Sequence, residues 1–386
     1  MDRLNWLEER RRSGNLRQLF PVKRMPDGTL QVEGDGGKAV FHDFSSNDYL
    51  ALSLHKDLIT ASRKYLELYG TGAGAARLMS GDLTLYHDLE RQVAELKRQE
   101  AALLFGSGYL ANCGVIPALA GRQDVIFCDR LNHASIYDGC RLSRARLVRF
   151  HHNDLNHLED LLRSKRGQGE ALIVVESIYS MDGDRCPLKD LVLLKEKYGC
   201  LLMVDEAHAT GLFGAHGGGV IEEDGVSSQV DIAMGTFGKA LGSYGAYVAA
   251  SRSMVDFLVN RARAFIYSTA LPPAVIGASA AAIRIVQEHP ELRQDLFAKV
   301  ALFKSILKQG GLESLGPSQI IPVLVGESVA TVKLAEQLRQ RNIFATAVRP
   351  PTVPEGTARL RFSVTLHQSD IVLKETATAL LEILGR

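Results

Sequence analysis

The sequence predicts an α/β protein: a mostly parallel central sheet flanked by helices, a smaller C-terminal α+β domain and an N-terminal arm. Three observations carry this. Short apolar runs rich in Val, Ile and Leu recur at residues 101–105, 124–128, 171–175, 201–204, 231–234 and 246–250, with longer amphipathic segments between them. Runs this short and this uniformly apolar suit strands covered on both faces. Beyond residue 290 the order changes. Helical patterns at 292–309 and 331–341 alternate with strand patterns at 320–325 and 359–364, as in a separate α+β domain. The first 25 residues hold a charged helical stretch and then Leu16-Arg17-Gln18-Leu19-Phe20-Pro21-Val22, where Pro21 turns the chain into an extended arm. The expected divisions are an arm over residues 1–45, a large α/β domain over 46–288 and a C-terminal domain over 289–386.

Composition narrows the function classes. The chain has 386 residues, 45 Lys and Arg against 44 Asp and Glu, a net charge of +1 and 46% apolar residues. This balance argues against a disordered chain and against a nucleic-acid-binding surface. No apolar run approaches the ~18 residues of a membrane span, and the charged N-terminus lacks the apolar stretch of a secretory leader. A cytoplasmic protein is expected. The five cysteines, Cys113, Cys128, Cys140, Cys186 and Cys200, form no CxxC pair. They indicate neither a disulfide framework nor a metal site. Glycine is abundant, at 35 residues.

Two glycine clusters could approach a phosphate. Gly70-Thr71-Gly72-Ala73-Gly74-Ala75 follows a helical pattern at 59–69, so it fails the strand-first requirement of a dinucleotide fingerprint and reads as a close-approach loop. Gly106-Ser107-Gly108-Tyr109-Leu110-Ala111 follows a strand and opens a helix, and Asp129 lies 23 residues beyond Gly106. This spacing matches the GxGxxA form of the Rossmann fingerprint. The physics is broader than NAD, because exposed N–H groups at a helix start attract any phosphate. A tight turn without a ligand is the plainer alternative.

Asp205-Glu206-Ala207-His208 follows the apolar strand at 201–204. The same letters occur in helicases, but an ATPase needs an upstream GxxxxGK[ST] loop. The nearest candidate, residues 233–240, lies downstream and has Ala at both ends of that pattern. Lys239 follows the strand at 231–234 and sits among Gly238, Gly242 and Gly245. A lysine amine in such a turn is a candidate Schiff-base former. Pyridoxal 5′-phosphate (PLP) requires that amine, a carboxylate to keep its pyridine nitrogen protonated, a donor near its phenolic oxygen and a phosphate cradle. Lys239, Asp205, His208 and the Gly106–Gly108 turn supply this set. Taken singly, Asp205 could be a helix cap and Lys239 a solvated surface residue.

At these residues the chain resembles the α-oxoamine synthases, a PLP-dependent family on the fold type I aminotransferase scaffold. The matching motifs are Asp205-Glu206-Ala207-His208, Thr236-Phe237-Gly238-Lys239 and Pro351-Thr352-Val353-Pro354-Glu355-Gly356-Thr357-Ala358-Arg359-Leu360-Arg361. Ser45-Ser46-Asn47-Asp48-Tyr49-Leu50, Leu131-Asn132-His133-Ala134-Ser135 and Ser180-Met181-Asp182-Gly183-Asp184 match as well. The likeness runs from about Arg17 to the C-terminus.

The resemblance implies Lys239 as the imine-forming lysine and then the general base, with Asp205 at the pyridine nitrogen and His133 stacked on the ring. It places His208 and Ser180 near the phenolic oxygen. Ser107, Gly108, Tyr109 and Thr236 would hold the phosphate region, and Ser268 and Thr269 would reach the cofactor of the partner in a homodimer with shared active sites. Arg361 would take the amino-acid carboxylate, Asn47 and Thr352 would line the substrate path, and Arg17 would contact the acyl substrate. Chain length, the Arg17–Val22 segment and Arg349-Pro350 favour members that condense L-alanine with a pimeloyl thioester on the route to biotin. The acyl group would be carried by coenzyme A or by an acyl carrier protein. Sister members that join glycine to shorter acyl-CoA donors remain alternatives, and an NAD-dependent oxidoreductase built on Gly106–Ala111 and Asp129 is a distant one.

Overall fold

The computed structural model describes residues 2–34, 37–313 and 316–386. The chain forms two compact units. One comprises Leu52–Tyr179 and Arg185–Arg293; the other comprises the described parts of Met1–Ala51, Ser180–Asp184 and Gln294–Arg386. Among the described residues no helix is long and apolar enough to cross a membrane.

The first unit is built on seven strands: β1 (Ala101–Phe105), β2 (Val125–Asp129), β3 (Arg146–Phe150), β4 (Ala171–Glu176), β5 (Leu201–Asp205), β6 (Ile232–Thr236) and β7 (Ala246–Ala250). Their order is β1-β7-β6-β5-β4-β2-β3. The pairs from β6 through to β3 are parallel, while β7 runs antiparallel to both β1 and β6. Every residue of β1, β2, β4 and β7 is buried, which explains their unbroken apolar sequences. All six expected runs are strands. The sequence reading missed β3, an edge strand in which Arg146 and Arg149 face solvent and only Val148 and Phe150 are buried.

The parallel strands deliver Asp129, Glu176, Asp205 and Thr236 to their carboxyl ends, where open α/β sheets bind ligands. Helix α1 (Gly108–Leu119) follows β1 and helix α2 (Ala134–Ser143) follows β2. The two pack closely: a Cβ at Gly139 of α2 would sit 2.6 Å from the Asn112 carbonyl of α1. Only glycine permits that approach.

The loop at Gly70–Gly74 corrects one expectation. A Cβ on Gly70, Gly72 or Gly74 would meet nothing of this chain within 4 Å, so no close approach demands glycine there. Gly70 and Gly74 instead adopt φ of 80° and 75°, the left-handed region that glycine enters without steric cost.

In the second unit, strand Leu30–Gly34 pairs antiparallel with Gly37–Asp43, and Ile343–Phe344 adds to the latter in parallel. A three-stranded antiparallel sheet places Ala358–Ser363 between Ile320–Gly326 and Thr346–Val348. Phe44, Phe303 and Phe362 pack together, with ring centroids 5.6–5.8 Å apart. The N-terminal segment is therefore more than an arm: strand Gly37–Asp43 and Phe44 share the core of the C-terminal strands. The leading helix, Arg3–Arg12, and the short strand Lys23–Arg24 bury no residue.

A buried ion pair lies directly behind the strand end that carries Asp205. Lys97 pairs with Glu206, both almost wholly removed from water. Burial opposes the lysine's charge, but Glu206 outweighs it and holds Lys97 above its ordinary pKa. The carboxylate also accepts from the Ile221 amide at 3.0 Å. Lys97→Met should leave the Glu206 charge uncompensated and lower stability by about 3–5 kcal/mol, measurable by denaturant unfolding.

Candidate active site

The turn from β1 into α1 supplies the helix start foreseen for a phosphate. Ser107 is the N-cap, its hydroxyl accepting from the Leu110 amide at 3.2 Å. The first amides of a helix have no partner within it, which leaves those of Gly108 and Tyr109 available for an anion. A Cβ at Gly108 would sit 3.7 Å from Met234 Cε of β6, an ordinary contact. The Tyr109 hydroxyl donates to Asp138 of α2, and that bond pushes its pKa up to about 12.

Gly108, Tyr109, Asn112, His133, Ser135, Glu176, Asp205, Ala207, His208, Met234, Thr236 and Lys239 line one cavity of about 180 Å³. The Lys239 Nζ lies 2.7 Å from His208 Nε2. Asp205 is 5% exposed. Its Oδ1 accepts from the Ala207 amide at 2.9 Å and its Oδ2 from Asn112 Nδ2 at 3.0 Å. His133 caps α2, its Nδ1 accepting from the Ser135 amide at 3.2 Å. Burial lowers the His133 pKa below the usual imidazole range; Lys239 acts in the same direction, while Asp205 and Asp138 oppose it.

Lys239 is presented by a turn tied to its own strand. The Thr236 hydroxyl donates to the Gly245 carbonyl at 2.8 Å and accepts from the Gly238 amide at 3.1 Å. Gly242 has φ of 61°, and a Cβ there would sit 2.4 Å from the Ser53 amide nitrogen. The close approach excludes a side chain, and the φ favours glycine.

Ser268 and Thr269 do not join this cavity. They line a separate small one of about 20 Å³ with Arg77, Phe265 and Gly106. Asn47, Ser180, Thr352, Arg361 and Arg17 belong to the second unit. There Arg361, 7% exposed, donates to the Ser180 carbonyl at 2.7 Å, Ser363 Oγ at 2.9 Å, Asn47 Oδ1 at 3.2 Å and Tyr49 Oη at 3.3 Å. All four acceptors are neutral. Arg17 Nη2 donates to Thr352 Oγ1 at 2.9 Å, bringing together two residues expected along the substrate path.

The NAD alternative does not survive the topology. Strand β1 and strand β2, which carries Asp129, are separated by four others, whereas the dinucleotide fingerprint needs adjacent parallel strands. Asp129 is fully buried and occupied, accepting from the Leu131 and Asn153 amides and meeting His152 at 3.0 Å.

Sequence reasoning overlooked Asn112, Ser135 and Glu176 as members of the site. Asn112 offered a sign: an amide within the otherwise apolar residues 110–116, 1% exposed, must find a buried partner. Glu176 ends an apolar strand as Asp205 does, and accepts from the His133 amide.

A lysine amine, an anchored carboxylate and an open helix start, gathered at the carboxyl ends of parallel strands, define a fold type I PLP-dependent enzyme. Residues 40–379 match the family described as aminotransferase class I and II, and the chain belongs to that family and, within it, to the α-oxoamine synthases. The 8-amino-7-oxononanoate synthase of Geobacter sulfurreducens is 47% identical over 380 residues, covering 98% of this chain and 96% of the relative. Among solved structures, a serine palmitoyltransferase from S. paucimobilis with a bound PLP–myriocin adduct superposes with a TM-score of 0.91 at 27% identity, covering 98% of this chain and 96% of its own. The 8-amino-7-oxononanoate synthase of Francisella tularensis aligns with a TM-score of 0.78 at 27% identity, over 89% of this chain and 98% of its own. The cofactor is PLP, and the donor set fits it: Asp205 is a fixed buried carboxylate, Lys239 a primary amine in the same cavity, and Gly108 and Tyr109 bring the helix start to its wall.

Gly242→Ala should shift the lysine turn and destabilise the protein by about 1–3 kcal/mol, read as a lower melting temperature together with weaker retention of PLP on dialysis.

Proposed function

We propose that the chain catalyses the decarboxylative condensation of L-alanine with a pimeloyl thioester, releasing 8-amino-7-oxononanoate, carbon dioxide and the free thiol, in biotin biosynthesis. The observation that carries this reading is the convergence of Lys239, Asp205, His208 and His133 on one cavity beside the start of α1, in a chain whose relatives include 8-amino-7-oxononanoate synthases. When bound, PLP supplies the electron sink that stabilises negative charge at the alanine α-carbon.

The protein's own groups divide the remaining work. The amides of Gly108 and Tyr109 and the Thr236 region would hold the phosphate, and Asp205 would keep the pyridine nitrogen protonated by ion pairing. His133 would stack on the ring, while His208 and Ser180 would serve the phenolic oxygen. The Lys239 amine takes the proton from the alanine α-carbon as general base. Arg361 takes the alanine carboxylate. Support for that role lies in its surroundings, because a buried guanidinium served, among the described residues, by neutral acceptors retains an uncompensated charge. Two bonds at one α-carbon break in turn, C–H before acyl transfer and C–CO2 after it, so the Arg361 contact must relax between them. Asn47 and Thr352 line the substrate path, with Arg17 toward the acyl end.

The reading includes a homodimer. Ser268 and Thr269 lie away from the Lys239 cavity, and Leu78, Met79 and Tyr267 are exposed by 52%, 79% and 71%, which suits a surface covered by a second copy. A cytoplasmic location and an acyl carrier protein as donor are further parts of the proposal.

The direct test is a matrix of amino acids against acyl thioesters, on coenzyme A and on carrier protein, with thiol and carbon dioxide release measured. Release with alanine and a pimeloyl thioester is expected; release with glycine alone would sink the assignment. Lys239→Ala should abolish turnover and the visible absorption of the lysine-bound cofactor. Arg361→Lys should raise the KM for alanine about tenfold, with little change in the KM for the thioester, read from steady-state kinetics.

A further inference from the structure

Along the cavity wall runs a continuous line of hydrogen bonds whose middle members, Asn112 and Ser135, have no part in the proposed chemistry. Asn112 Nδ2 lies 3.0 Å from Asp205 Oδ2 and 2.9 Å from Ser135 Oγ, and Ser135 Oγ lies 2.7 Å from His133 Nδ1. Asn112 and Ser135 are each 1% exposed. The donor and acceptor roles follow from the chemistry of the groups. An ionised carboxylate only accepts, so the amide must turn its NH2 toward Asp205. Both Asn112 bonds leave from Nδ2, and its Oδ1 has no partner. The Ser135 oxygen, facing an NH2, accepts there. Its own proton is then free for the nearest acceptor, His133 Nδ1. The same nitrogen accepts the Ser135 amide at 3.2 Å, so it carries no proton.

We propose that Asn112 and Ser135 are positioning residues that relay the donor–acceptor order imposed by the Asp205 carboxylate to His133 Nδ1, and so hold its imidazole in the neutral form protonated at Nε2. The ring is thereby fixed at Nδ1, and its N–H points away from the helix that it caps. A neutral ring suits the site. A cation at His133 would compete for Asp205 with a protonated pyridine and would repel Lys239. The charged groups around the ring are Asp205 from β5, Lys239 from the turn after β6, Asp138 from α2, and Glu176 from β4, whose carboxylate accepts the His133 amide. The depressed basicity of His133 agrees with the hydrogen-bond assignment.

The consequence for catalysis rests on the active-site reading given above; the tautomer does not. The test uses full-length protein loaded with PLP and labelled with 15N at histidine. Long-range 1H–15N spectra are recorded across a pH series, and the His133 resonances are assigned by their loss in His133→Gln. The expected result is a neutral ring with Nε2 protonated throughout the neutral range. Ser135→Ala should give a mixture of the two tautomers, and Asn112→Leu should shift the balance in the same direction. Ser135→Thr, which keeps the hydroxyl, should restore the wild-type pattern. In turnover, Ser135→Ala should lower kcat about three- to tenfold, the worth of one hydrogen bond, with the KM for alanine nearly unchanged. An Nδ1-protonated or charged His133 in the wild-type protein would overturn the proposal, as would an unaltered spectrum in both Ser135→Ala and Asn112→Leu. If one variant fails to fold, the wild-type tautomer and the other variant still decide. Absence of thiol release with alanine would count against the proposed reaction while leaving the spectral result standing.

Discussion

The carboxylate of Asp205 sits at the end of a central parallel strand, almost out of contact with water, and must stay ionised there to be useful. A bare carboxylate in such a place costs several kcal/mol. The structure offsets part of this with two donors on rigid elements, the Ala207 amide of its own turn and the Asn112 amide of α1. The requirement reaches outward. It fixes the rotation of α1 about its axis, since Asn112 must face the strand end, and α1 is also the helix whose first amides are open to an anion. It fixes the distance to α2, since Ser135 must meet Asn112, and the absence of a side chain at Gly139 makes that distance attainable.

The next residue shows the other way to bury a carboxylate. Glu206 is neutralised by Lys97, accepts from the Ile221 amide and is fully buried. Two adjacent acids on one strand end thus meet opposite fates, one closed within the fold and one turned toward a ligand. Arg361 repeats the contrast among the cations. Its neighbour Arg359 is paired with Asp182, whereas Arg361 is satisfied in hydrogen bonds but not in charge. Incomplete charge compensation at a buried group is where a fold leaves room for chemistry.

Much of this was legible in the chain. Apolar runs bounded by glycine and polar turns marked six strands, because a strand buried on both faces admits little else. The lysine turn, the Asp205–His208 segment and the helix start after Phe105 were readable because each needs particular residue types in local order. Strand β3 was not readable, since an edge strand alternates and its arginines hide the pattern. At the Gly70–Gly74 loop the sequence shows that glycine is present but not whether contact or backbone angle demands it; within this chain the positive φ of Gly70 and Gly74 does so.

By itself the sequence determined the α/β class and the cofactor chemistry, since those depend on local periodicity and on the identity of a few side chains in local order. Only the tertiary structure decided that Asn112, Ser135 and Glu176 line the cavity, that Asp129 is occupied by His152 and the Asn153 amide, and that the N-terminal strands share a core with the C-terminal ones. Each of these depends on which distant groups meet in space. Partners separated by 20 to 300 residues leave no periodic trace, and a hydrogen bond exists only once packing has brought its two ends within 3 Å.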